Sequence, residues 1–169
     1  MDTLRGLSLV LGTITMGLVT GAFALYAHTI MPGLKGTDDR TFIGSFQALD
    51  RAIINPWFMA GGFVGALVFT GLAAALHLGA EVRSVLPWVA IAFVLYLVAF
   101  VITIAVNVPL NDGLKAAGDP AHITDPAAVR AQFNEAKWVA WNNVRLVLSL
   151  AAFACLTWAL VTYGRTRGA

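Results

Sequence analysis

Four stretches of this chain contain no Asp, Glu, Lys or Arg: Gly6 to Leu34, Ala52 to Ala80, Ser84 to Asn111, and Leu146 to Gly164. A helix crosses a hydrocarbon core in about 20 apolar residues, whereas a membrane strand needs only about 9 to 11. Runs this long therefore predict helices, because in lipid every backbone polar group must be satisfied inside its own segment. The fourth run begins earlier, near Trp138, and then contains Arg145. The predicted spans are about 6–31, 56–79, 85–108 and 138–163, all within a single transmembrane domain, 1–169. Only 12% of residues are charged, against roughly 25% in soluble domains.

The net charge of +2 does not point to nucleic acid. Lys and Arg are scattered, with no basic run or basic helix face. The single Cys155 lies inside the fourth run and excludes both an intramolecular disulfide and a Cys-rich metal site. Ala22-Phe23-Ala24 matches a small-x-small cleavage pattern, but only Arg5 precedes a run far longer than a signal peptide's apolar core, so the first span is expected to be retained.

Four retained spans put both termini on one face, side A. The two longer connections, Gly33 to Asn55 and Asp112 to Lys137, then fall on the opposite face, side B. In the first connection Phe42, Phe46, Leu49 and Ile53 recur at helical spacing, which predicts an amphipathic helix ended by Pro56. In the second, Asp125 is a good N-cap and Pro126 a good first helical residue. The expected fold is all-α: an integral membrane four-helix bundle with short amphipathic helices in the two longer loops on one side. Each half carries a long apolar run, a proline and Gly-Leu-Lys (33–35 and 113–115), a hint of internal duplication. Arg5, Arg83, Arg165 and Arg167 lie on very short side A segments, which favours a multi-pass protein of the cell membrane with cytoplasmic termini. Gly17, Gly21, Gly61 and Gly65 have the spacing that lets spans approach closely, and a homo-oligomer is compatible with them.

Near the end of the third run the chain reads Asn107-Val108-Pro109-Leu110-Asn111. Proline removes a backbone donor and biases the residue before it away from helix, so a break is expected at Val108. Residues three and four apart share a helix face. By that spacing the polar residues form stripes: Ala24 and His28; Asn55, Met59 and Gly62; Tyr96, Phe100, Thr103 and Asn107; Trp138, Asn142, Arg145 and Ser149. Their polar ends gather at side B.

Arg145 has three possible fates: snorkelling to the surface, pairing with a loop acid such as Asp112, or facing a polar pocket open to side B with the asparagines as neighbours. His77 and His122 are too far from His28 along the topology to share a metal, and Asn and Arg are poor ligands, so no metal site is expected. A haem held by His28 stays open on the residues alone. Trp57, Trp138 and Trp141 lie at the same end. They form either an interfacial belt or the stacking faces of a site for a flat, oxygenated aromatic ligand.

Met31-Pro32-Gly33-Leu34 after the first run, Asn55-Pro56 before the second, Asn-x-Pro-x-Asn at 107–111 and Trp-x-x-Trp-Asn-x-x-Arg at 138–145 appear in an order that resembles the small four-span membrane proteins grouped with fungal anthrone oxygenases. The resemblance implies oxidation of an anthrone to an anthraquinone by dioxygen, with no bound metal, flavin or other cofactor. It carries Asn55, Asn107, Asn111, Trp138, Trp141, Asn142 and Arg145 as site residues; His28 and Trp57 are added from their position. In the expected mechanism His28 takes the methylene proton while Arg145, Asn107 and Asn142 hold the oxyanion. Trp57, Trp138, Trp141, Asn55 and Asn111 then bind the rings. Two other functions fit the same residues: a module that binds a lipid, quinone or other amphiphilic small molecule without turnover, and a structural subunit in which the polar residues glue helices together.

Overall fold

The computed structural model describes residues 1–79 and 83–166. Four helical stretches, Asp2–Lys35, Trp57–Leu76, Leu86–Ala116 and Pro126–Arg165, are long and apolar enough to cross a membrane. Helix α1 (Asp2–Leu25) packs on α4 (Val64–Leu76) and α8 (Glu135–Arg165), and α5 (Leu86–Ile102) packs on the same two, closing a four-helix ring. Its core is filled by Leu9, Met16, Val19, Phe63, Tyr96 and Leu156, with Ala66, Ala92, Ala99, Ala152 and Ala159 where helices draw close. Outward positions such as Val68, Val94, Val101 and Val147 stay exposed, as spans surrounded by lipid require.

The expected break at Val108 does not occur. Val108 is helical, with φ −61 and ψ −48, and the third stretch continues through Pro109 to Ala116 as α6 (Val108–Ala116). The first stretch likewise continues through Pro32 as α2 (Met31–Lys35). Each proline is accommodated by a wide π turn just before it, Tyr26–Ile30 in the first stretch and Thr103–Asn107 in the third. There the amides of Met31 and Val108 reach back five residues, to the carbonyls of Tyr26 and Thr103. A third π segment, Trp57–Phe63, opens the second span directly after Pro56. Proline cannot donate to the carbonyl four residues back and its ring crowds that carbonyl; widening the turn relieves both problems without ending the helix.

Above the side B end lies a second, smaller core: Met31, Phe42, Ile43, Phe46, Leu114, Ile123, Phe133 and Trp138. It joins the cap helices α3 (Asp39–Ile53) and α7 (Pro126–Phe133) to the bundle. Asp38 caps α3, accepting from the Thr41 amide at 3.0 Å, and Asp125 caps α7 through the Ala128 amide at 3.0 Å, with Pro126 at the first helical position. Asn134, with φ 53, turns the chain into α8 and caps it. Arg130 ties the two loops, donating to the carbonyls of Thr37 and Lys35 and pairing with Asp39 and Glu135. The buried face of α3 is rotated from the expected one: Phe42 and Phe46 are buried, but Leu49 and Ile53 are only partly so, while Ile43, Gln47 and Asp50 go inside.

Of the four glycines singled out for close approach, two are tight. A Cβ on Gly17 would lie 3.0 Å from the Phe153 ring, and one on Gly65 would lie 2.7 Å from the Ala60 carbonyl, whereas Gly21 and Gly61 face open space. Alanine at 65 must push backbone aside, at a cost of about 1–3 kcal/mol. Alanine at 61 should be neutral or add up to about 1 kcal/mol of helix propensity. Thermal unfolding in detergent should therefore separate Gly65→Ala, with a lowered midpoint, from Gly61→Ala, with none.

Candidate functional site

The buried face of α8 runs Trp138, Asn142, Arg145, Ser149, Ala152, Leu156, Ala159 and Tyr163. Alternating steps of three and four keep one face on the bundle axis, so the arginine is carried inward with its neighbours and does not snorkel. Arg145 is 4% exposed. Its Nη1 donates to Thr103 Oγ1 at 3.1 Å and its Nη2 to Asn142 Oδ1 at 3.0 Å. Its guanidinium lies 4.5 Å from the Phe23 ring centre and 5.6 Å from that of Trp138. Among the described residues no carboxylate pairs with it; Asp112, the loop acid considered as a partner, bonds Lys115 at 2.8 Å instead.

Asn142 is held in turn, donating from Nδ2 to the Phe23 carbonyl at 3.1 Å. Asn107, 1% exposed, donates to the Trp138 carbonyl at 3.3 Å. It can do so because the π turn inserts an extra residue, which rotates the downstream residues by about 100° around the helix axis. Asn111 bridges two elements: its Nδ2 donates to Asp50 Oδ1 at 2.7 Å, and its Oδ1 accepts from Trp138 Nε1 at 2.7 Å. Three buried polar atoms at this end of the bundle find no partner: Asn107 Oδ1, Arg145 Nε and Ser149 Oγ. Unpaired buried groups are rare in folded proteins and each costs about 1–3 kcal/mol. Two donors and an acceptor left over beside a buried cation are what an oxygen-bearing ligand would use.

The structure thus brings together Asn107, Asn111, Trp138, Asn142 and Arg145. It does not bring in the rest. His28 is exposed, with Nδ1 2.7 Å from Thr29 Oγ1, so it is not beside the guanidinium as expected. Asn55 caps the second span, accepting from the Phe58 amide at 2.9 Å. Trp57 is 67% exposed and Trp141 36%, both turned outward as belt residues. Phe23 and Trp138 close over Arg145.

Three participants escaped the sequence reading of the site, Phe23, Tyr26 and Asp50, while Thr103 lay on a predicted stripe but was not named as a site residue. Tyr26 sits 5.5 Å from the Trp138 ring and within electrostatic reach of both Asp50 and Arg145. Asp50 is 6% exposed and pairs with Lys115 at 3.1 Å. A signal for it existed: Asp50 lies four residues past Phe46 and eight past Phe42, an acid on the apolar stripe of α3.

The family model described as anthrone oxygenase matches residues 55–155. The chain belongs to the anthrone oxygenase family. The match contains every polar residue of the cluster on α5 to α8 and three of the four motifs that carried the resemblance, beginning after Met31-Pro32-Gly33-Leu34. No curated protein and no solved structure matches the chain.

Because Arg145 has no counter-ion among the described residues, its charge works against folding. Arg145→Met, which keeps the length and removes the charge, should leave detergent stability unchanged or raise it. Asn142→Leu, which strips a partner from the buried cation, should lower stability by about 2–3 kcal/mol. Parallel denaturation of the two variants checks both.

Proposed function

We propose that this membrane protein binds an anthrone-like polycyclic phenol against Arg145 and oxidises it with dioxygen to the quinone. The observation that carries this is the buried guanidinium without a carboxylate partner, flanked by unpaired polar atoms. A cation so placed suits an anion that forms during a reaction, because in a dry site its field is not screened. Loss of a methylene proton from an anthrone gives an enolate whose charge rests on oxygen. Arg145 and Asn142 stabilise that oxygen, and the enolate passes an electron to dioxygen. The radical pair joins in a carbon–oxygen bond, and the resulting hydroperoxide loses water to leave a carbonyl. Both methylene hydrogens and one oxygen atom depart as water; carbon loses four electrons and dioxygen gains four. His28 is too poorly placed for the proton acceptor, so the acidity of the substrate leaves that role to a solvent base, which takes the proton before Phe23 and Trp138 close over the enolate.

Oxygen uptake by the purified protein with emodin anthrone should fall by about 100-fold or more in Arg145→Ala, the scale seen when an oxyanion donor is removed. Uptake at the parental rate would refute the role of Arg145. A second reading, non-catalytic binding of a quinone, lipid or other amphiphile, is favoured by the lack, among the described residues, of a carboxylate or histidine bonded to Arg145 itself. It predicts a co-purifying ligand in native mass spectra and no oxygen uptake.

We also place the protein in the cell membrane with both termini cytoplasmic, on the strength of the arginines on the short side A segments. A cysteine introduced at exposed Ala121, in a Cys155→Ala background, should then react with an impermeant maleimide added to intact cells. Labelling only after lysis would reverse the orientation.

A further inference from the structure

The indole that closes over Arg145 is not held by the bundle alone. Trp138 Nε1–H can only donate, and the Asp50 carboxylate can only accept. Asn111 stands between them with an amide that offers one of each. The carboxylate settles which way that amide faces: Nδ2 must point to Asp50, so Oδ1 must point to the indole, as observed at 2.7 Å on each side. Asp50 is itself fixed by Lys115 at 3.1 Å, and Lys115 by Asp112 at 2.8 Å. The indole so oriented stands edge-on to Phe46, at 90° and 5.5 Å, and keeps a face 5.6 Å from the guanidinium.

We infer that Asp50 is a positioning residue, which holds Trp138 over Arg145 from the cap helix α3 by fixing the Asn111 amide. It touches no reacting atom. Without an acceptor at position 50 the amide is free to flip and present its NH2 group to the indole N–H. Two donors then face each other and the indole must turn. A flat ligand lying against Arg145 loses the face on which it stacks, while the guanidinium that meets the oxyanion is untouched. The effect should fall on KM and leave kcat almost alone. This kinetic part rests on the oxidation proposed above; the geometric part does not.

The test uses the full chain in detergent, labelled with 5-fluorotryptophan, with the Trp138 fluorine resonance assigned by its loss in Trp138→Phe. In Asp50→Ala the Trp138 resonance should move while those of Trp57, Trp88 and Trp158 stay. Asn111→Leu should move it as well, and the double variant should do no more than either single one, because both break one chain. Asp50→Asn, which keeps an acceptor at that position, should restore the parental resonance. With emodin anthrone, Asp50→Ala should raise KM about tenfold with kcat within about twofold, a loss of ground-state and transition-state binding alike. A Trp138 resonance unmoved in Asp50→Ala would overturn the inference, as would all the resonances moving together, the mark of general loosening. A moved Trp138 resonance in a protein whose parent consumes no oxygen would support the positioning and refute the oxidation.

Discussion

The Arg145 guanidinium, buried in an apolar bundle with no carboxylate against it, sets the terms for the rest of the side B end. An arginine at the centre of a membrane helix costs about 2.5–3.5 kcal/mol even by lenient insertion scales. Every nearby group reduces that cost. The Thr103 hydroxyl and Asn142 amide accept from it, the Phe23 ring offers its negative face, and Trp138 excludes lipid and water above. None of them neutralises the charge. A carboxylate partner would have been the more stable solution, and Asp50 is close by in the network, yet it is spent on Asn111 and Lys115. The charge is left available, and that choice runs against stability.

The π turns belong to the same design. Thr103–Asn107 is bounded by the hydroxyl that accepts from Arg145 and the amide whose oxygen stays unpaired. Tyr26–Ile30 begins three residues past Phe23, whose ring and carbonyl both serve the cluster. In each case the wide turn is followed at once by X-Pro, a short helix and a cap helix. The two halves thus share an element order and the offset between π turn and proline, although the Gly-Leu-Lys tripeptides stand three residues out of that register. The halves differ in what they carry: Asn107 and Asn111 have no amide counterparts at Ile30 and Leu34.

Most of the architecture was legible because lipid leaves few choices. Charge-free runs of sufficient length must be helices, and four helices long and apolar enough to cross a membrane are there. Pro109 was misread because the rule for water-soluble helices, that X-Pro marks an end, does not weigh the alternative open to a packed span, which is to widen one turn and continue. The site was legible where it lies on one straight helix: Trp138, Asn142, Arg145 and Ser149 follow simple spacing on α8 and all go inside. It was illegible where it depends on side chains meeting across elements. His28 shares a stripe with Ala24, but the π turn at 26–30 shifts the register just there and turns the ring outward. Asp50 could be read as a solvated loop acid until α3 was seen to bury it.

Closure of the site by aromatic rings bears on the chemistry. A cation in contact with water acts on a nascent enolate through a dielectric near that of the solvent, which makes a single charge worth little at a few ångströms. Behind Phe23 and Trp138 the same charge acts in a poorly screened medium, and no solvent reorganises as the oxyanion forms. In the proposed reaction a closed site would also keep water from the enolate once its proton has left, while dioxygen, an apolar gas, partitions into the same low-dielectric interior. Hydrophobic polycyclic substrates partition there too. If the proposed oxidation holds, the cost of an unpaired arginine, the aromatic roof over it and the position of the cluster at one end of the bundle follow from one requirement: to form an anion where little but the protein can stabilise it.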